Sequence, residues 1–182
     1  MQEKSKKNSS GPLLKANKGI IGIPQKFSNP KDNLILAQDE VLFSEGEELM
    51  GLYIITRGCV QLLKKSHSGR LLPVSILKNK DFIGAEEVFE NRKTTTSAVA
   101  LEDTEITVIA KSDIQEILQI LPEWTSKLML TLTSRLAKIC DVLAEHSIAD
   151  ERLTVYKIFT QEHEANFKNI IKKYKENASS QS

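Results

Sequence analysis

The chain has 182 residues, with 25 Lys+Arg against 24 Asp+Glu and a formal net charge of +1, and 40% of it is hydrophobic. That is enough for one domain with a real core plus extensions, and the near-neutral balance gives no global case for a binder of nucleic acid or membrane surface. No apolar run approaches the ~18–20 residues of a membrane span, and the charged N-terminus lacks the apolar stretch of a secretory signal. Cys59 and Cys140, far apart, suit reduced structural thiols in a cytoplasmic protein rather than a disulfide framework.

Residues 1–32 are rich in Lys, Ser, Asn, Gly and Pro with an excess of positive charge. Such a stretch buries too little apolar surface to offset its ordering entropy and is expected to be a flexible basic arm. Gly19-Ile20-Ile21-Gly22-Ile23-Pro24 is the exception. Its three isoleucines could dock on a neighbouring surface or sheet edge, or be incidental to the tail.

From residue 33 to 122 the pattern changes. Short apolar runs rich in Val, Ile, Leu and Tyr are broken at near-regular intervals by Gly46, Gly58, Gly69 and Gly84, which predicts a compact antiparallel barrel or sandwich. LILAQDEVLF gives two strands bending at Gln38-Asp39-Glu40. GLYIITRGCVQLLKK predicts a pair turning near Arg57-Gly58. RLLPVSIL follows a turn at His67-Ser68-Gly69, with Pro73 suited to an edge or strand end. Thr95 to Leu101 and Glu105 to Ala110 close the roll around Glu102-Asp103, for about eight strands.

FSEGEELMGLYIITRGCVQLL followed by KDFIGAEEVF resembles the cyclic-nucleotide-binding domain of the CRP/FNR regulators, which carries Gly-Glu, Tyr-Ile-Ile…Gly and Asp-Phe-Ile-Gly in this order. The likeness runs from about Leu34 to Ser147. It implies an α+β, mainly β, fold: a double-stranded β-roll of jelly-roll type followed by a long dimerisation helix, here with an extra terminal helix.

Ser112-Asp113 is expected to cap a helix over DIQEILQIL, ended by Leu121-Pro122. A long helix is then predicted over residues 123–148. Met129, Leu132, Leu136, Ile139 and Leu143, with His146 beyond them, alternate in steps of three and four like an a/d seam. Leu128, Arg135 and Val142 flank it as a second stripe able to lie on the roll, and Trp124 is expected to pack the helix start there. The seam fits either the same helix of a second chain, which the resemblance implies, or the protein's own last helix. Residues 149–182 are predicted as an amphipathic helix to about Lys175 and a polar tail. Leu153, Tyr156, His163, Phe167, Ile170 and Tyr174 fall at heptad-like positions. In transcription factors of the resembling family a helix-turn-helix follows the dimer helix; this stretch has no Gly-containing turn and no second recognition helix, so DNA binding by that route is not expected.

The resemblance also implies a ligand pocket, over Phe82, Ile83, Gly84, Ala85, Glu86, Thr95, Thr96, Ser97 and Ala98. The family holds the cyclic phosphate on a short helix N-terminus and an Arg, and the ribose on a Glu. Aligned on Phe82-Ile83-Gly84, Ala85 stands at the ribose-Glu position. Aligned on Ser97-Ala98, Thr96 stands at the phosphate-Arg position, in a segment one residue longer than usual. Alanine cannot accept a hydrogen bond and threonine cannot neutralise a phosphate. Glu86 or Glu87 could take the ribose after a one-residue slip, and Arg92 or Lys93 with the hydroxyls of Thr94 to Ser97 could form another anion site. At the base end the long helix offers Ile139 and Cys140.

The three histidines, His67, His146 and His163, are far apart and lack partners at metal-ligand spacing. Glu45, Glu47 and Glu48 around Gly46 read as a solvated turn. No enzyme motif, metal site or resident cofactor is expected. The leading expectation is a non-enzymatic regulatory homodimer with a degenerate cassette, acting through another protein. The alternative is a sensor of cyclic mono- or dinucleotides using rearranged contacts, and a DNA binder working through its basic arm or tail is the weakest of the three.

Overall fold

A computed structural model describes residues 32–146, 151–156 and 158–180. The basic arm and its isoleucine cluster lie outside these, apart from Asp32, which opens the first strand.

Among the described residues, eight strands form two antiparallel sheets. They are β1 (Asp32–Leu36), β2 (Val41–Phe43), β3 (Gly51–Arg57), β4 (Cys59–Lys65), β5 (Leu71–Lys78), β6 (Phe82–Ile83), β7 (Ser97–Ala100) and β8 (Thr104–Ala110). One sheet has the order β1-β8-β3-β6 and the other β2-β7-β4-β5. Two facing sheets bury a shared interior between their inner faces. Here that interior holds Ile55, Val60, Ala98, Ala100 and Ile106, all fully excluded from water. The antiparallel sandwich expected from the glycine spacing, and the mainly β, α+β roll that the resemblance implied, are therefore found.

The predicted β3–β4 pair is a different object. β3 pairs with β8 and β6, and β4 with β5 and β7, so Arg57-Gly58 carries the chain from one sheet to the other. Gly58 has φ +98°, and a Cβ there would sit 2.7 Å from Thr104 Cα and 2.8 Å from the Asp103 carbonyl oxygen. Both the positive φ and the backbone contact exclude other residues. Pro73 lies in β5, an edge strand, opposite Leu63 at a register shift, where a missing N–H costs no ladder bond.

Four helices complete the described chain: α1 (Ala85–Glu90), α2 (Lys111–Ile120), α3 (Glu123–Glu145) and α4 (Gln161–Ser179). α2 begins two residues before the predicted start, straight from Ala110, with no side-chain cap. α3 ends with His146 as its C-cap, where a histidine favours the dipole. The face of α3 turned to the roll is Thr133, Ala137, Cys140 and the buried Ala144. The stripe predicted for that role is solvent-facing, with Leu128 and Val142 each 50% exposed, Arg135 exposed and Trp124 67% exposed. Small residues sit at the close contact because they let the helix backbone approach the sheet.

The single terminal helix predicted from Ala149 is broken. A 3₁₀ turn (Glu151–Leu153) and bends precede α4, which is started by a capping box of Thr160 and His163. α4 packs on β5 and β2 of its own chain. Phe167, 1% exposed, enters a second cluster with Leu63, Leu71 and Val99 on the outer face of the β2-β7-β4-β5 sheet. Glu164 is buried beside it and accepts a hydrogen bond from the Leu71 N–H at 2.9 Å. The Tyr174 hydroxyl donates to Glu47 Oε2 at 3.1 Å, so one member of the glutamate turn helps to hold the helix.

Candidate ligand cavity

Gly84 positions the candidate site. It ends β6 and serves as N-cap of α1 with φ +84°, and a Cβ there would lie 2.5 Å from Leu49 Cδ1. This tight, left-handed corner turns the chain at once from strand into the short helix. A cavity of about 160 Å³ lies between α1, the inner side of the roll and α3. Phe82, Ile83, Gly84, Ala85, Glu86, Thr95 and Thr96 border it, as expected from the sequence.

Ser97 and Ala98 do not. Side chains alternate across a strand, which puts Ala98 in the inter-sheet core and turns Ser97 to the outer face. There the Ser97 hydroxyl accepts a hydrogen bond from the Glu45 N–H at 3.0 Å. On α3 the cavity meets Thr133, Leu136, Ala137 and Cys140; Ile139 is not among the lining residues and is 56% exposed. Phe43, Leu62, Thr133 and Ala137 are not legible in the sequence as lining residues: the first two depend on how the sheets face each other, the last two on the phase of α3 against them.

The electrostatics are set by carboxylates. Glu86 and Glu87 border the cavity, and among the described residues no Lys or Arg does. Of the two cations that could have formed an alternative anion site, Lys93 is exposed and does not border the cavity, and Arg92 is bound to Glu86, with its Nε 3.1 Å from Glu90. Thr94 donates its hydroxyl to the Ser44 carbonyl at 2.9 Å and accepts from the Glu47 N–H at 3.2 Å. Lys64, on β4 with only 12% of its side chain exposed, is paired with Asp141 of α3.

Glu87 is 8% exposed. Burial pushes its carboxyl above the ordinary 4.5, partly offset by the N–H groups of Glu87 and Thr95 and by Lys64. A carboxyl raised on folding gains a proton as the chain folds, so the contribution of Glu87 to stability is fullest below pH 4.5 and falls as pH rises through the raised value. Glu87→Gln, which keeps the acceptor oxygen, is expected to raise the thermal midpoint at neutral pH and flatten this decline. A lower midpoint at neutral pH would show that the ionised carboxylate is net stabilising.

Burial also raises the thiols of Cys59 and Cys140, which makes both poor nucleophiles. Among the described residues no group of three or more His, Cys, Asp or Glu could hold a metal, and no helix is long and apolar enough to cross a membrane.

A jelly roll whose glycine corner feeds a short helix beneath a long one defines an effector domain of the cyclic-nucleotide-binding type. Residues 34–120 match the model of the cyclic nucleotide-binding domain, and this part of the chain belongs to that family, in its CRP/FNR form. The cAMP-activated global transcriptional regulator CRP of Salmonella typhimurium is 28% identical over 105 residues, 57% of this chain and 48% of that protein. The anaerobic regulatory protein of Bacillus subtilis is 31% identical over 99 residues, 54% of this chain and 42% of that protein. The chain thus spans about half the length of the curated relatives it matches. Among solved structures, the cAMP-bound form of the EAL enzyme Bd1971 superposes with a TM-score of 0.54 at 25% identity, over 59% of this chain and 28% of that one. The Thermus thermophilus catabolite activator protein does so with a TM-score of 0.51 at 24% identity, over 59% and 50%. The curated relatives are named as regulators, while one solved neighbour carries such a fold within an enzyme.

Proposed function

We propose that this is a non-enzymatic regulatory module of the cytoplasm whose cassette no longer takes a cyclic nucleotide in the family manner. It works as a homodimer through α3 and passes its signal to a protein partner. The observation that carries the reading is the charge of the cavity: among the described residues two glutamates border it and no cation does, and Arg92 is taken up by Glu86 and Glu90. A cyclic phosphate entering there finds no unpaired guanidinium to receive its charge. The size agrees, since about 160 Å³ is below the roughly 300–1,000 Å³ of ordinary ligand pockets. Ala85 and Thr96 deepen the deficit. Each lost charge-assisted bond costs about 1.5–3 kcal/mol, so two weaken affinity by a few orders of magnitude.

Dimerisation is supported by the predicted seam. Leu132, Leu136 and Ile139 are 51%, 63% and 56% exposed, and α4, the other candidate cover, spends its apolar face on the roll. Contiguous exposed apolar surface of this kind marks a contact.

Isothermal titration with cAMP, cGMP and cyclic dinucleotides, with light scattering for mass, tests both parts. The expected result is a dimer and no saturable heat up to about 1 mM ligand. Micromolar binding of any of these ligands would establish the sensor reading instead, with Glu86, Arg92 and Thr94 to Ser97 the residues to mutate.

A further inference from the structure

On the outer face of the β2-β7-β4-β5 sheet, away from the cassette, lies a larger opening. A groove of about 760 Å³ runs between that sheet and α4, within the roughly 300–1,000 Å³ of small-molecule sites. Lys168, Ile171, Lys172, Lys175 and Ser179 form its helical wall. Their spacing of three and four puts them along one face of α4. Leu71 of β5 faces Ile171 across the groove, which supplies an apolar floor, and Lys65 adds a fourth ammonium at the end of β4.

Glu45 and Glu176 also border the groove, leaving four cations against two carboxylates. Lys168 is held by Glu164 at 2.7 Å, and Lys172 lies 3.7 Å from Glu176. Lys65 and Lys175 have no carboxylate in ion-pairing range among the described residues. An independent feature points the same way. Ser44 borders the groove, is fully buried, and its hydroxyl has no hydrogen-bond partner. Buried polar atoms are almost always satisfied, and of the few orphans among the described residues Ser44 is the one that borders the groove, where a polar ligand atom would satisfy it.

We propose that this groove binds a small organic anion with an apolar body. A phosphate, sulfate or carboxylate head lies toward Lys65 and Lys175, and the body lies on Leu71 and Ile171. The site is separate from the cassette: adjacent residues Thr96 and Ser97 face the cavity and the groove respectively. Occupancy by ligand would brace α4 against the roll, so the ligand becomes a means of controlling the terminal helix.

The test is a nitrogen-15 amide map of the full chain titrated with octyl phosphate, with inorganic phosphate and octyl glucoside as the headgroup-only and tail-only probes. The expected result is saturable shifts at Lys65, Gly69, Leu71 and along Lys168–Ser180, with a dissociation constant at or below about 1 mM. Both controls should be at least about tenfold weaker, and the Lys65→Gln/Lys175→Gln double variant should lose about tenfold, with an unchanged melting curve because both side chains are exposed. Equal binding of octyl glucoside would overturn the anion assignment. Equal binding of inorganic phosphate would reduce the groove to charge adsorption. Shifts centred on the cassette or on α3, or no saturation, would overturn the site itself.

Discussion

Phe167→Ala is expected to detach α4 and to cost about 3–5 kcal/mol, the range for removing a buried aromatic ring. Phe167 is 1% exposed and joins Leu63, Leu71 and Val99 across the outer face of the sheet. It also stacks on Phe159 with ring centroids 6.2 Å apart and meets Tyr156 edge-on at 6.4 Å. One substitution therefore removes burial and two aromatic contacts together. Urea unfolding would read the cost, and hydrogen exchange would show whether residues 161–179 lose protection before the strands do. A loss under about 1 kcal/mol with α4 still protected would mean that Glu164 and Tyr174 hold the helix without the ring.

The same attachment has an acid dependence opposite in sign to that of Glu87. Burial alone raises the Glu164 carboxyl, but the hydrogen bonds from Lys168 and the Leu71 N–H, with the charges of Lys168 and Arg70, outweigh it and hold it below 4.5. A carboxyl lowered on folding stabilises the fold above its ordinary value and loses that contribution as pH falls through the lowered one. Exchange protection of α4 is therefore expected to weaken below pH 4.5, and in Glu164→Gln that weakening should vanish.

Leu132→Asp combined with Ile139→Asp is expected to convert the proposed homodimer to a monomer, weakening association by at least about two orders of magnitude. Both side chains are about half exposed in the single chain, so the roll loses little when they change, whereas a dimer would have to bury two carboxylates per helix without partners. Sedimentation at several concentrations distinguishes the two species, and circular dichroism should show an unchanged fold. A variant that remains dimeric, or a parent chain that is monomeric throughout, would place the contact elsewhere or remove it.

The strand runs, the glycine corners and the break at Pro122 are legible in the sequence because each depends on neighbours along the chain. Alternation marks a strand, positive φ marks a glycine, and proline stops a helix, so eight strands, a long helix and the cassette corner at Gly84 follow from local chemistry. That Ala85 and Thr96 stand where the resembling family has a Glu and an Arg is legible only through the resemblance.

Tertiary structure decided what depends on which face meets which. Arg57-Gly58 looks like a hairpin turn, yet it links two sheets, because β8 rather than β4 supplies the ladder for β3. Leu128, Val142 and Trp124 look like core by composition, but the close approach of α3 to the roll admits only small residues, so Ala137, Cys140 and Ala144 take that face. Ser97 and Thr96 are neighbours in one motif and open onto different cavities. Arg92 is a free guanidinium in the sequence and a neutralised one in the fold, where Glu86 and Glu90 reach it. Burial, pairing and the phase of a helix against a sheet arise from contacts between distant segments, and no local pattern encodes them.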